Sequence, residues 1–68
     1  MKNRIRQHLG EQVITQKKLG EKVNVSRQAI NTVETGKFDP SLWLAYDIAQ
    51  LFNKSIEEVF DFKESERK

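Results

Sequence analysis

The sequence predicts an all-α domain built from five short helices. Among its 68 residues are one proline and three glycines, so few positions interrupt a helix. Apolar residues recur at spacings of three and four, which is the period of a helix with one buried face. The length allows one domain with a modest core, and without cysteine the packing of helices must stabilise it.

The first two helices are predicted from a few positions. The first runs from about residue 3 to residue 9 or slightly beyond, and Gly10 weakens or ends it. Thr15 is the predicted N-cap of the second, because its hydroxyl can accept a hydrogen bond from a main-chain N–H. Leu19 and Val23 are four apart and therefore share the inward face of that helix.

A tight turn is predicted around Asn24, since asparagine tolerates the left-handed backbone conformation that ends a helix. Ser26 caps a third helix directly afterwards, and Gly36 ends it. Two helices joined by so short a turn form a helix-turn-helix arrangement, predicted here over about residues 15–35.

The fourth helix follows a loop at residues 37–40, where proline disfavours helical backbone in the residue before it. Ser41 is the predicted N-cap, the helix runs to about Phe52, and Asn53 closes it. The predicted buried stripe comprises Leu42, Ala45, Ile48, Ala49 and Phe52.

The fifth helix is predicted from residues 55–58 (SIEE), a capping box in which serine and glutamate each bond the other's main-chain N–H. Ile56, Val59 and Phe60 supply its apolar face. In an alternative interpretation residues 60–62 form a short strand. The charged tail at about 61–68 is predicted to fray, and all elements belong to one domain, residues 1–68.

Charge is distributed unevenly along the chain. Residues 1–37 hold eight basic and three acidic residues, a net charge of +5, whereas residues 38–68 hold four basic and seven acidic residues, a net charge of −3. A basic half indicates an anionic partner on that side. Chance segregation of charges in a short chain explains this feature equally well, so other observations must decide whether the basic half binds an anionic partner.

The second and third helices begin with cations, which the dipole at a helix N-terminus disfavours. The second starts at residues 15–18 (TQKK) and the third at residues 26–28 (SRQ), and neither has an acidic residue in its first turn. Main-chain N–H groups at a helix start bind phosphate, and Lys17, Lys18 and Arg27 would add to that attraction. We therefore favour an anion-binding role over simple solvation of two lysines.

The third helix carries short, uncharged hydrogen-bonding side chains where solvent-facing helices usually carry glutamate and lysine. On a helical wheel Gln28, Thr32 and Thr35 fall within a narrow arc with Asn31 beside them, and the apolar residues lie opposite. Amides can bond the edge of adenine, a guanidinium that of guanine, and hydroxyls either base. This face therefore predicts a helix that lies in the major groove of DNA.

The segment from Thr15 to Ser41 resembles the Xre-like, lambda-repressor-like helix-turn-helix family. The usual family pattern is T-Q-x-x-L-A-x-x-x-G-V-S-x-x-x-I-x-x-x-E-x-G-x-x-x-P-S. The matching positions are Thr15, Gln16, Leu19, Val25, Ser26, Ile30, Glu34, Gly36, Pro40 and Ser41. The last two helices of the family are also matched, by Ala45, Ile48, Ala49, Phe52 and residues 55–60, so the resemblance covers nearly the whole chain.

The resemblance implies the compact five-helix lambda-repressor-like fold and a DNA-binding regulator, usually a repressor. Members usually act as homodimers on pseudo-palindromic double-stranded operators, and helices four and five with the C-terminal tail usually form the dimer surface. The positions that reach base edges or nearby phosphates are matched by Arg27, Gln28, Asn31 and Thr32. Phosphate contacts are implied for Gln16, Ser26, Thr35 and Lys37, beside the lysines inferred above, Lys17 and Lys18.

The first helix departs furthest from the family pattern. His8 stands where a core leucine is usual, and Leu9 stands where an arginine often pairs with the glutamate that matches Glu34. Either the register of this helix slips by one residue, or Glu34 pairs with Arg4 or Arg6 instead.

Two other positions depart from expectation. Gly20 stands where the family prefers alanine, at the close approach of helices two and three, and glycine there loses about 0.5–1 kcal/mol relative to alanine. Trp43 lies off the apolar stripe of the fourth helix, and three roles stay open: covering the edge of the core, packing at a dimer seam, or lying near the DNA backbone.

Other classes of function find little support. We expect no cofactor, no metal site and no enzyme, since the chain has one histidine, no cysteine, no glycine-rich phosphate loop and no nucleophile with a base. No apolar run approaches the roughly 20 residues needed to cross a bilayer, so the expected location is the cytoplasm, at the nucleoid. The alternative function is an antitoxin-like or anti-repressor protein-binding module on the same fold, against which the short tail argues.

Overall fold

The computed structural model describes residues 1–62, and five α-helices occur in that range. They are α1 (Ile5–Gln12), α2 (Gln16–Val23), α3 (Arg27–Glu34), α4 (Leu42–Leu51) and α5 (Ile56–Val59). The all-α, five-helix prediction is confirmed. The alternative strand at residues 60–62 is wrong, because within the described range Phe60 forms only an isolated antiparallel bridge with Asn3. Most of the tail predicted to fray, residues 63–68, lies outside the described residues.

The predicted N-caps of α2 to α5 all form. In each, a serine or threonine hydroxyl accepts a hydrogen bond from the main-chain N–H three residues later, at 3.0–3.2 Å. A cap of this kind stabilises a helix by about 1 kcal/mol. In α5 the Glu58 carboxylate also accepts from the Ser55 main-chain N–H at 2.8 Å, which completes the capping box. That bond favours the ionised carboxylate and holds the pKa of Glu58 below its ordinary value.

The first helix does not end at Gly10, which was one of the two effects predicted for this glycine. Gly10 lies inside α1, and the helix continues to Gln12, after which the C-cap residue Val13 has a φ of 54°. There the main-chain N–H of Ile14 donates to the carbonyl of Leu9 at 2.9 Å and closes the last turn. A single glycine costs a helix only about 1 kcal/mol, and the buried side chains of Ile5 and Leu9 hold α1 in the core.

The core lies between the helices and draws on all five of them. Its members are apolar and at most 7% exposed: Ile5, Leu9, Leu19, Ile30, Val33, Ala45, Ile48, Ala49, Phe52, Val59 and Phe60. His8 joins them with 5% exposure, and its ring centroid lies 5.3 Å from that of Phe52. Leu42 was predicted to be buried, but it is 73% exposed, because the buried stripe of α4 begins only with Ala45 in its second turn.

Gly20 of α2 packs directly against the main chain of the turn that leads into α3. A Cβ atom added there would lie 2.6 Å from the carbonyl oxygen of Val25, closer than such contacts ordinarily come. The carbonyl of Gly20 also accepts a hydrogen bond from the Val25 main-chain N–H at 2.8 Å. The absence of a side chain therefore allows the turn between the two helices, centred on Asn24 with a φ of 63°, to fold tightly.

The N-terminal segment connects the ends of α3 and α5. Asn3 Nδ2 donates to the carbonyl of Val33 at 2.9 Å, and Asn3 Oδ1 accepts from the main-chain N–H of Ile5 at 3.2 Å. The main-chain N–H of Arg4 donates to the carbonyl of Val59 at 2.7 Å. One asparagine thus bonds a main-chain group at the start of α1 and another at the end of α3.

We expect Asn3→Ala to lower the free energy of unfolding by about 1–2 kcal/mol, because the bonds to Val33 and Ile5 are both lost. Urea titration followed by circular dichroism measures this. Gln50→Ala is the control, since Gln50 is exposed on α4 and its removal should change stability by less than about 0.5 kcal/mol. If both variants unfold at the urea concentration of the wild type, the segment contributes no stability through Asn3.

Candidate nucleic-acid interface

The outward face of α3 is built as the sequence predicts. Ile30 and Val33 are 0% and 2% exposed and anchor the helix in the core. On the other side Gln28 and Asn31 are exposed, and Thr32 is half-buried. The protein's own described residues therefore leave this amide and hydroxyl face open to a partner.

The threonines on this face are already bonded to their own helix. Thr32 Oγ1 donates to the carbonyl of Gln28 at 2.7 Å, and Thr35 Oγ1 donates to the carbonyl of Asn31 at 3.0 Å. Each hydroxyl hydrogen is thereby used within α3. What remains for a partner is the oxygen lone pairs and the methyl group, which suit base-edge donors and the thymine methyl.

The first turns of α2 and α3 offer main-chain donors and cations. The caps satisfy the N–H groups of Lys18 and Ala29, whereas the first N–H groups of both helices have no intrahelical partner. Neither first turn contains an acidic residue. Lys17, Lys18 and Arg27 are exposed, and none of them forms an ion pair within residues 1–62. Both helix starts can therefore receive an anion.

The remaining predicted phosphate contacts flank α3. Ser26 and Thr35 are exposed at its two ends, as its N-cap and C-cap residues. Lys37 is exposed in the loop that follows, where its main-chain N–H donates to the carbonyl of Thr32 at 3.1 Å. The predicted phosphate and base positions thus lie on α3, at its ends, and at the start of α2.

A chain of polar contacts joins α1, α2 and α3 behind this face. The Glu34 side chain is only 7% exposed, and its Oε2 accepts from Arg6 Nε at 3.1 Å. Its Oε1 accepts from Gln16 Nε2 at 2.6 Å. Gln16 Nε2 also lies 3.2 Å from Asn31 Oδ1, to which it donates. We call these four side chains the Glu34 network.

The network resolves the partner of Glu34, which the sequence left open. Arg6 provides the cation, whereas the Arg4 guanidinium donates to the carbonyls of Glu57 and Glu58 at 3.5 and 3.4 Å. The bond between Gln16 and Glu34 and the role of Asn3 were not predicted from the sequence. The sequence did contain a signal for the bond, because Gln16 and Glu34 both match the family pattern and are polar.

A family model described as helix-turn-helix matches residues 5–59, which is most of the chain. The chain belongs to this helix-turn-helix family. The resemblance to Xre-like and lambda-repressor-like proteins is thereby confirmed, and family membership supports DNA binding and transcription regulation.

This helix-turn-helix protein has similar relatives in archaea and bacteria. It is 42% identical over 66 residues to the uncharacterized HTH-type transcriptional regulator MJ0272 of Methanocaldococcus jannaschii, covering 97% of this chain and 100% of that protein. An uncharacterized HTH-type transcriptional regulator of Archaeoglobus fulgidus is 46% identical over 66 residues, covering 97% and 94% of the two chains. The uncharacterized regulator YgzD of Bacillus subtilis is 39% identical over 64 residues, covering 94% and 97%.

The helices of this helix-turn-helix domain are short and amphipathic. Within residues 1–62, none has the length and apolar character needed to cross a bilayer. The same range contains no cluster of three side chains suited to hold a metal ion.

Proposed function

We propose that this protein binds double-stranded DNA in a sequence-specific manner as a homodimeric transcriptional regulator, and that it acts as a repressor at the nucleoid. The observation that carries the proposal is the open face of α3, whose amides and hydroxyls point away from a buried Ile30 and Val33. An α-helix fits the major groove, where each base pair displays a distinct pattern of donors and acceptors.

Contacts divide between base edges and phosphates. The base edges are contacted by exposed or half-exposed side chains of α3: Arg27, Gln28, Asn31 and Thr32. Phosphates are bound at the ends of α3 and the start of α2, from Gln16, Lys17, Lys18, Ser26, Thr35 and Lys37. Gln16 does so through its main-chain N–H, because both hydrogens of its side-chain nitrogen are donated within the Glu34 network. Phosphate contacts position the helix, and base contacts supply the discrimination.

Dimerisation is proposed through α4, α5 and the C-terminal tail. Leu42 and Trp43 are 73% and 74% exposed on α4, and Tyr46 is 44% exposed. The Trp43 ring therefore does not cover the core; it lies edge-on to Tyr46 with the centroids 6.2 Å apart. Clustered exposed apolar side chains mark protein contact surfaces more often than free surface. In a dimer the two copies of α3 would enter successive major grooves about 34 Å apart on a pseudo-palindromic operator.

The proposal is tested by selecting an operator from random duplexes and titrating its affinity against salt by fluorescence anisotropy. We expect the logarithm of the binding constant to fall linearly with the logarithm of salt concentration, by roughly a thousandfold or more between about 50 and 200 mM. Random duplex should bind weakly, with a similar slope. Absence of binding to any duplex at low salt would contradict the proposal and favour the antitoxin-like or anti-repressor alternative.

A further inference from the structure

The Glu34 network fixes the orientation of two side-chain amides. A carboxylate can only accept hydrogen bonds, so the group of Gln16 that faces Glu34 must be its NH₂ and not its oxygen. That bond is short, 2.6 Å, and the carboxylate is nearly buried, with 7% of the Glu34 side chain exposed. Rotating the Gln16 amide by half a turn would place its oxygen against the carboxylate, which is strongly unfavourable.

The orientation of the Gln16 amide in turn fixes the orientation of the Asn31 amide. The first hydrogen on Gln16 Nε2 is donated to Glu34, and the second points to Asn31 at 3.2 Å. A donor selects an acceptor, so Asn31 must turn its Oδ1 toward α2. The Asn31 NH₂ group is then left facing outward, on the exposed side of α3.

We propose that Glu34 is a positioning residue that fixes Asn31 as a hydrogen-bond donor toward DNA and makes it select guanine over adenine; this rests on the proposed function. An unconstrained asparagine pairs with adenine through both ends of its amide, since its oxygen accepts from N6 and its nitrogen donates to N7. With the oxygen held against Gln16, the amino group of adenine loses its acceptor. Guanine presents two acceptors, N7 and O6, and cytosine presents only a donor.

Glu34→Gln tests the inference with little change of shape. A neutral amide at position 34 can accept or donate, so it no longer dictates which end of Gln16 faces it. Gln16 is then free to rotate, and Asn31 regains both orientations. Gln16→Ala breaks the same chain of bonds while leaving Glu34 paired with Arg6, and it serves as the second variant if Glu34→Gln folds poorly.

The measurement is affinity for operator duplexes in which single base pairs are varied, by fluorescence anisotropy. The base pair that Asn31 contacts is identified with Asn31→Ala, as the position in the operator at which this variant changes the base preference. We expect the wild type to prefer guanine over adenine there by about tenfold. Glu34→Gln and Gln16→Ala should each reduce this ratio to about twofold or less, with the salt dependence of binding retained.

Thermal unfolding by circular dichroism confirms that each variant is folded at the assay temperature. Arg6→Ala is the control and should keep the ratio, because Glu34 still orients Gln16.

The outcomes separate this inference from the proposed function. If the wild type binds no duplex, the proposed function fails, and this inference with it. If the wild type binds its operator but prefers adenine at that pair, or if both variants keep the tenfold ratio, the inference alone is overturned. The inference alone is also overturned if Asn31→Ala changes no base preference at any position of the operator.

Discussion

Replacing Gln28 with alanine is expected to weaken operator binding by about 5- to 150-fold, equivalent to about 1–3 kcal/mol, and to relax base preference at the contacted pair. Gln28 is exposed on the outward face of α3, and its side-chain amide makes no hydrogen bond within residues 1–62. The Gln28 main-chain carbonyl accepts a hydrogen bond from Thr32 Oγ1, and alanine retains that carbonyl. The substitution should therefore change recognition while leaving the fold intact.

Lys17→Ala is the matched control for Gln28→Ala. Lys17 lies in the first turn of α2, where its charge attracts phosphates regardless of sequence. We expect Lys17→Ala to weaken operator and random duplex alike and to lower the salt slope by about one. Anisotropy titrations of both duplexes at several salt concentrations measure the two effects. An equal loss on operator and random duplex for Gln28→Ala would count against base reading by this residue.

Phe52→Ala is expected to destabilise the protein by about 3–5 kcal/mol, because it removes a large ring from the centre of the core. Phe52 is 1% exposed, and its ring packs against the buried His8 of α1. A domain of 68 residues usually has only about 3–10 kcal/mol of stability, so the variant should lose a large part of it and unfold at a much lower urea concentration. Far-ultraviolet circular dichroism and urea titration measure the loss.

Phe52→Leu provides the control, because it preserves most of the buried volume and should lose much less stability. Both variants retain the main-chain carbonyl at position 52, which accepts from Gln12 Nε2 at 2.9 Å. Any difference between them therefore reports the filling of the core. A Phe52→Ala protein that unfolds at the wild-type urea concentration would show that this ring does not hold α1 against α4.

Features of the fold that depend on residues close together in the chain could be predicted from the sequence. The N-caps at Thr15, Ser26, Ser41 and Ser55 follow from a hydroxyl beside the start of an apolar pattern. The outward face of α3 follows in the same way from the spacing of its apolar residues.

Predictions from the sequence were wrong at positions whose structure depends on packing against helices that are distant in the chain. Gly10 stays helical because other residues of α1 are buried in the core, and Leu42 is exposed because no described helix covers the first turn of α4. The Glu34 network requires three helices to meet, so the family resemblance left a slipped register, Arg4 and Arg6 as alternatives for the partner of Glu34 and could not choose among them.

The bonds that Thr32 and Thr35 donate into α3 bear on the thermodynamics of docking. A β-branched side chain whose hydroxyl is already held by a carbonyl one turn earlier occupies essentially one rotamer before any partner arrives. Immobilising a freely rotating side chain at an interface costs about 0.5–1.5 kcal/mol, and these two residues avoid most of that entropic loss. If DNA docks on this face as proposed, the two threonines meet it in a preorganised form and cannot rearrange to accommodate a mismatched sequence.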